Sequence, residues 1–316
     1  MNKKLEVLNN EKGQMAILAM LVLVIALTIG LSVITRTTSN IKLSNNTELS
    51  TRAYNAAEAG IEETLRANGS NPQNTSISVG NNASFSVSVT QQGGSNTPYA
   101  FPNPVAIDDA NQVWMFDYNY YKTNSGAFPP AGGGKYFNDC NTAACLSMEI
   151  YWGSGTASPP PTSPDSATPA LEVALIYKNA SGVFGVEKYA VDPSSTRGNG
   201  FTNVSSPTGP FTLANTTQGS KTYYYKYTIT LKPGTNTTDP NKRDYLLARL
   251  KLLYSTNHEL AVNPLGATLL PQGELISSQG TASDLVRKIK VYRSYPTLPS
   301  IFDFVLYNGS TSPLQK

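Results

Sequence analysis

Charge is scarce in this chain: only 14% of its 316 residues are Asp, Glu, Lys or Arg, against about a quarter in an ordinary soluble domain. The formal net charge of +3 is too small to argue for a polyanionic partner. Histidine occurs once, at His258, and cysteine twice, at Cys140 and Cys145. Zinc takes about four ligands, so a histidine–cysteine zinc centre is excluded. No nucleophile-elbow pattern accompanies His258, and nothing singles out a carboxylate pair, so no constellation points to an enzyme or to a cofactor. Proline is missing before Pro72, which leaves the first 71 residues free to form one long helix.

What that proline-free region contains is a run of twenty uncharged residues, Met15 to Ile34, within "EKGQMAILAMLVLVIALTIGLSVITR". As a helix it measures roughly 30 Å, the thickness of a hydrocarbon core. A cleaved secretory signal would have a shorter apolar core and a small-x-small site after it, and neither is present. A permanent single-pass anchor fits the length, with Lys3, Lys4 and Lys12 before the run and Arg36 and Lys42 after it. The positive-inside bias this creates is slight. A third feature is the polar leader "MNKKLEVLNNEKG", residues 1–13, which ends at Gly13 directly before the run.

The leader, the glycine and the apolar helix together resemble the prepilin N-terminus of type IV pilins. "TRAYNAAEAGIEETL", Thr51 to Leu65, extends the resemblance to PilX-type minor pilins, over about the first 65 residues. The resemblance implies cleavage after Gly13 by a prepilin peptidase, leaving Gln14 as a methylated N-terminus. It also implies a subunit first held in the cytoplasmic membrane with its N-terminus inside, then moved to an extracellular pilus. Its partners would be other pilin subunits, the peptidase and the inner-membrane pilus assembly machinery. Many major pilins carry glutamate as the fifth mature residue, whereas here that position is Leu18. An uncompensated carboxylate in lipid is costly, so its absence eases membrane storage. PilX-type and some pseudopilin subunits also lack it, and the resemblance therefore implies a minor or tip-associated subunit.

Within the run, Ala16, Leu18, Ala19, Ala26 and Gly30 are the candidate positions for helix packing in a filament core, small residues allowing close approach. Gly30 is the expected weak point for a bend. Beyond Ile34 the spacing of four between Ala53, Ala57, Ile61 and Leu65 predicts a stem face packed on a globular part. Together these give one helix over 14–67, with a membrane-spanning half at 15–34 and an amphipathic half at 35–67.

From residue 68 onward the period drops to two, as expected for strands. "SISVGNNASFSVSVT" reads as a hairpin. "VWMFDYNYY" places Trp114, Phe116, Tyr118 and Tyr120 on one strand face, and "YYYKYTITL" does the same for Tyr223, Tyr225 and Tyr227. "LSMEIYW", "LEVALIY", "LARLKLLY", "LVRKIKVY" and "IFDFVLYNG" supply further strands. The fold class expected is α+β, a long N-terminal membrane-spanning helix packed on an antiparallel β-rich extracellular domain over 68–316. The segment 153–170 is a lobe boundary or a surface loop, with the balance toward a loop. Cys140 and Cys145 have the spacing for a small disulfide loop in an oxidising compartment.

The basic stretch "RKIKVYR" raises DNA binding, but charged strands more often guard a sheet edge, and DNA is the less favoured partner. Aromatic strand faces raise sugar binding, although such faces are usually core. The function expected is a structural subunit of a type IV pilus. The competing reading is a single-pass membrane-anchored adhesin or ligand-binding module whose helix never leaves the bilayer.

Overall fold

The computed structural model describes residues 7–67, 76–80, 82–94, 97–130, 135–137, 147–153, 168–194, 197–204, 209–234, 241–255, 257–265 and 267–299. In chain order its elements begin with α1 (Val7–Arg66), β1 (Ile77–Gly80), β2 (Ala83–Gln92), β3 (Tyr99–Ala100) and β4 (Ala110–Trp114). There follow α2 (Tyr118–Thr123), β5 (Ser147–Trp152), β6 (Ala170–Asn179), β7 (Phe184–Asp192) and β8 (Thr202–Asn203). The chain continues through β9 (Phe211–Thr216), β10 (Gly219–Tyr223), β11 (Tyr225–Thr230) and β12 (Arg243–Leu253). The last three strands are β13 (Leu260–Leu265), β14 (Gly273–Ala282) and β15 (Leu285–Ser294). The α+β class is thus observed, a long apolar N-terminal helix and β-rich, largely antiparallel sheets. Two compact units result, one of residues 1–89 and 276–291, the other of 90–275 and 292–316.

The first unit is α1 with strands of the four-stranded sheet β1-β2-β14-β15. β1 and β2 form the antiparallel hairpin expected from their alternation, Ile77 opposite Phe85. Phe85 and Val87 point inward with Ile61 and Ile276. Farther along the helix, Ala53 and Ala56 pack with Ala83 and Ala282. These contacts involve only the last third of α1: from Gln14 to Glu48 every residue is exposed. The two-residue turn at Ser283–Asp284 joins β14 to β15, with Ser283 in the left-handed region at φ 52°.

The second unit is a sandwich. One sheet has the order β11-β5-β13-β3 and the other β4-β12-β6-β7-β8. All pairs within them are antiparallel except β7 with β8. Their inner faces share one core, with Met148, Ile150 and Trp152 from β5, Leu171, Val173 and Leu175 from β6, and Leu250 and Leu252 from β12. Trp152 has no exposed surface, and its Nε1 donates to the Pro169 carbonyl at 2.9 Å, as a buried indole requires. The β6–β7 hairpin turns on Asn179, whose Oδ1 accepts from the amides of Ser181 at 3.0 Å and Val183 at 2.9 Å.

Two expected strands are different. "VWMFDYNYY" does not continue as a strand past Trp114, because Asp117 caps a short helix instead. Its Oδ1 accepts from the Tyr120 amide at 3.0 Å, and Lys135 Nζ donates to Oδ2 at 2.8 Å. An Asp at the N-cap satisfies a helix donor that a strand would not present. "YYYKYTITL" is interrupted at Tyr224, whose carbonyl accepts from Gly209 at 2.6 Å. Tyr223 therefore packs with Tyr151 and Phe211 outside the sandwich core, while Tyr225 lies within it. The segment "IFDFVLYNG", most of 153–170, and the Cys140–Cys145 loop lie outside the described residues.

Candidate membrane and assembly site

α1 has 60 residues, about 90 Å at 1.5 Å per residue. It is long and apolar enough to cross a membrane. Fourteen large apolar side chains between Met15 and Ile34 are exposed, from Ile25 at 49% to Met20 at 75%. Such side chains gain roughly 1.5–3 kcal/mol each on leaving water, so together they demand an apolar cover worth tens of kcal/mol. The threonine hydroxyls among and just after them are satisfied within the helix. Thr28 Oγ1 donates to the Ile25 carbonyl at 2.8 Å, and Thr35 and Thr38 donate to Leu31 and Ile34 at 2.8 and 2.9 Å. A hydroxyl bonded this way carries less penalty into lipid.

The helix begins at Val7 rather than at Gln14, so the Gly13–Gln14 bond lies inside it. The helical assignment runs unbroken through Gly30. Ala16, Leu18, Ala19, Ala26 and Gly30 are all exposed. At about 100° per residue, Ala19, Ala26 and Gly30 fall within roughly 40° of one another and Ala16 another 40° away. Leu18 falls outside this arc. A Cβ added at Gly30 would meet nothing within 4 Å.

The stem face differs from its expected form in one residue. Ala53 and Ala57 have no exposed surface and Ile61 is 7% exposed, but Leu65 is 43% exposed. A spacing of four overshoots a helical turn by about 40° each time, so by the third repeat Leu65 has rotated about 120° off the face begun at Ala53. Thr64 takes its place with no exposed surface, its hydroxyl donating to the Gly60 carbonyl at 2.7 Å.

The contact is set by two glycines. A Cβ at Gly60 would lie 2.3 Å from Ser278 Oγ and 2.8 Å from the Phe85 ring. One at Gly280 on β14 would lie 2.0 Å from the Ala53 carbonyl oxygen. Only hydrogen fits at either place. Ala56, Gly60 and Thr64 lie between the positions of the four-residue repeat through Ala53, Ala57, Ile61 and Leu65. The signal was the row of small residues at helical spacing, Ala53, Ala56, Ala57, Gly60 and Thr64.

Chemistry-bearing side chains elsewhere are tied into structure. On the outer face of β5, Glu149 Oε1 accepts from Lys226 Nζ at 2.8 Å, and Oε2 accepts from the Tyr151 hydroxyl at 2.6 Å and Asn263 Nδ2 at 3.1 Å. Burial raises this carboxyl, but the bonds from Lys226, Tyr151 and Asn263 outweigh it and leave Glu149 below the usual glutamate range. Burial first, and then the hydrogen bond to Glu149, push the Tyr151 hydroxyl up. A carboxylate so fully bonded has little basicity left for catalysis.

His258 Nε2 and Ser255 Oγ, three residues apart in sequence, lie 2.7 Å from each other. Of the basic stretch, Arg287 donates to Ser50 Oγ from Nε at 2.9 Å and Nη2 at 2.7 Å, and Arg293 lies 3.7 Å from Glu274. β15 is an edge strand, where such charges oppose unwanted pairing.

No protein-family model, no curated protein and no solved structure matches the chain. The pilin resemblance therefore stands on the N-terminal residues themselves. Cys140 and Cys145, proposed as a disulfide, lie outside the described residues.

Proposed function

We propose that this protein is a type IV pilin-like subunit of the PilX-type minor class, stored in a membrane and polymerised through α1. The observation that carries this reading is the contrast along one continuous helix. Residues 14–48 are wholly exposed, whereas Ala53, Ala56, Ala57, Gly60 and Ile61 are buried on a sheet. The buried end makes the helix a fixed part of its unit, and the bare end requires lipid or other helices around it. Lipid and protein are equally apolar to such side chains, so exchanging one for the other costs little. The small-residue side of Ala19, Ala26 and Gly30 suits close helix contact. Other pilin subunits, a prepilin peptidase and an inner-membrane platform are the partners this reading requires.

Cleavage after Gly13 requires α1 to open locally at a bond inside its first two turns. Glycine makes that opening about 1 kcal/mol easier than alanine would. Replacing Gly13 by Leu in cells with an active prepilin peptidase tests the proposal. The expected result is a chain that keeps its leader and disappears from sheared extracellular filaments. Unchanged filament content with the leader still removed contradicts it. Filaments that form normally while the wild-type chain stays in the membrane favour the anchored adhesin instead.

A further inference from the structure

A cavity in the second unit, beside β4, has features that a filament subunit does not need. It holds about 290 Å³, just under the roughly 300–1,000 Å³ of typical small-molecule sites, and so suits a ligand the size of a single sugar ring. Tyr99, Phe101, Trp114 and Tyr295 bring aromatic rings to its wall. Trp114 and Tyr295 have their ring centroids 6.4 Å apart, and Tyr118 lies 4.5 Å from both.

The frame of the cavity is built before any ligand arrives. Gln272 is buried and holds the end of β4 from both atoms of its amide. Its Oε1 accepts from the Trp114 amide at 2.8 Å, and its Nε2 donates to the Trp114 carbonyl at 2.8 Å. Gln112, also buried, donates from Nε2 to the Pro296 carbonyl at 3.2 Å and so fixes the segment carrying Tyr295 and Thr297. Side chains held in this way preorganise a site.

The remaining polar groups define the chemistry. Asn111 Nδ2 and Trp114 Nε1 are buried and meet no hydrogen-bond partner among the described residues. Asn103 and Asp109 line the same cavity and are exposed. No Lys or Arg is among the described lining residues, so a phosphate or other anion finds no counter-charge there. A purely apolar ligand would use neither Asn103 nor Asp109. Aromatic faces beside amides and one carboxylate match a pyranose. Its C–H face covers a ring, while its hydroxyls donate to the Asp109 carboxylate and accept from the Asn103 amide.

We propose that this cavity is a binding site for a neutral saccharide, a single hexose or N-acetylhexosamine unit at the end of a longer glycan. The site stands apart from the filament reading and is tested on the purified full chain, whatever the fate of its leader. The chain is held in nanodiscs, because sugar-headed detergents would compete. Neutral oligosaccharides ending in hexose or N-acetylhexosamine are then titrated while tryptophan emission is followed. The chain has two tryptophans, and Trp152 is shut in the sandwich core, so Trp114 is the reporter.

The expected result is an emission shift with at least one oligosaccharide, at a dissociation constant below about 1 mM, and a weakening of roughly tenfold in both Asp109→Ala and Asn103→Ala. Both substitutions are at exposed positions, so each variant is expected to fold. Three results overturn the proposal. One is no shift with any oligosaccharide at about 10 mM. Another is binding that neither variant weakens, and the third is a shift produced only by charged glycans or by peptides.

Discussion

Where α1 meets its sheet, the closest approaches are made by alanine, glycine and serine: Ala53 against Gly280, and Gly60 against Ser278. In the sandwich the same task falls to Trp152, Tyr245, Met148 and a set of leucines, all with no exposed surface. Those closest approaches and the sandwich core are therefore sensitive to opposite changes, although Ile61, Phe85 and Ile276 give the helix contact a larger apolar patch as well. A core of large side chains loses most by truncation, which leaves a void. A close approach made by small side chains loses by addition, which leaves no room. Small side chains let the helix backbone come close, and the fit then depends on each hydrogen at Gly60 and Gly280.

Trp152→Ala should show the largest effect, a loss of about 3–5 kcal/mol in urea unfolding of the micelle-held chain. A smaller loss would mean that the sandwich collapses into the space left behind. Next is the pair Ile61→Ala and Leu65→Ala. The first should destabilise by about 2–5 kcal/mol. The second should stay within about 0.5 kcal/mol of the parent. Equal losses would restore the four-residue stripe and remove the rotation argument.

Gly280→Ala adds one methyl against the Ala53 carbonyl and should lose about 1–3 kcal/mol. Gly30→Ala, which meets nothing, should lose nothing by the same assay. The last effect, Glu149→Gln, is set by pH. Its carboxyl lies below the ordinary glutamate value of about 4.3, so the folded state binds this proton less readily than the unfolded state does. The stabilisation is complete above that ordinary value and is lost as pH falls through the lower folded value. Glu149→Gln should therefore be less stable at neutral pH, with the gap to the parent closing as acid is added.

The same contrast explains what could be read from sequence. The apolar run was legible from its length and composition, and the β1–β2 hairpin and strand β6 because burial along β2 and β6 alternates with their large side chains. Helix α2 was not, since "YNYYKT" has the aromatic composition of a strand, and a single carboxylate at Asp117 decides otherwise. The break at Tyr224 was hidden in an unbroken alternation, because a carbonyl's partner at Gly209 leaves no trace in the pattern. The stem was half legible: Ala53, Ala57 and Ile61 were found, while Leu65 was included in error. Ala56, Gly60 and Thr64 were passed over because they fall between the positions of that four-residue repeat. The cavity beside β4 is assembled from β3, β4 and the segment after β15, far apart in sequence, and no local motif announces it.

The account depends most on the bond after Gly13. The chain should be recovered from membranes and filaments of cells with an active prepilin peptidase and its N-terminus sequenced. A chain beginning at Gln14 in both fractions is the predicted result. A chain still beginning at Met1, found only in the membrane while filaments assemble normally, would contradict it.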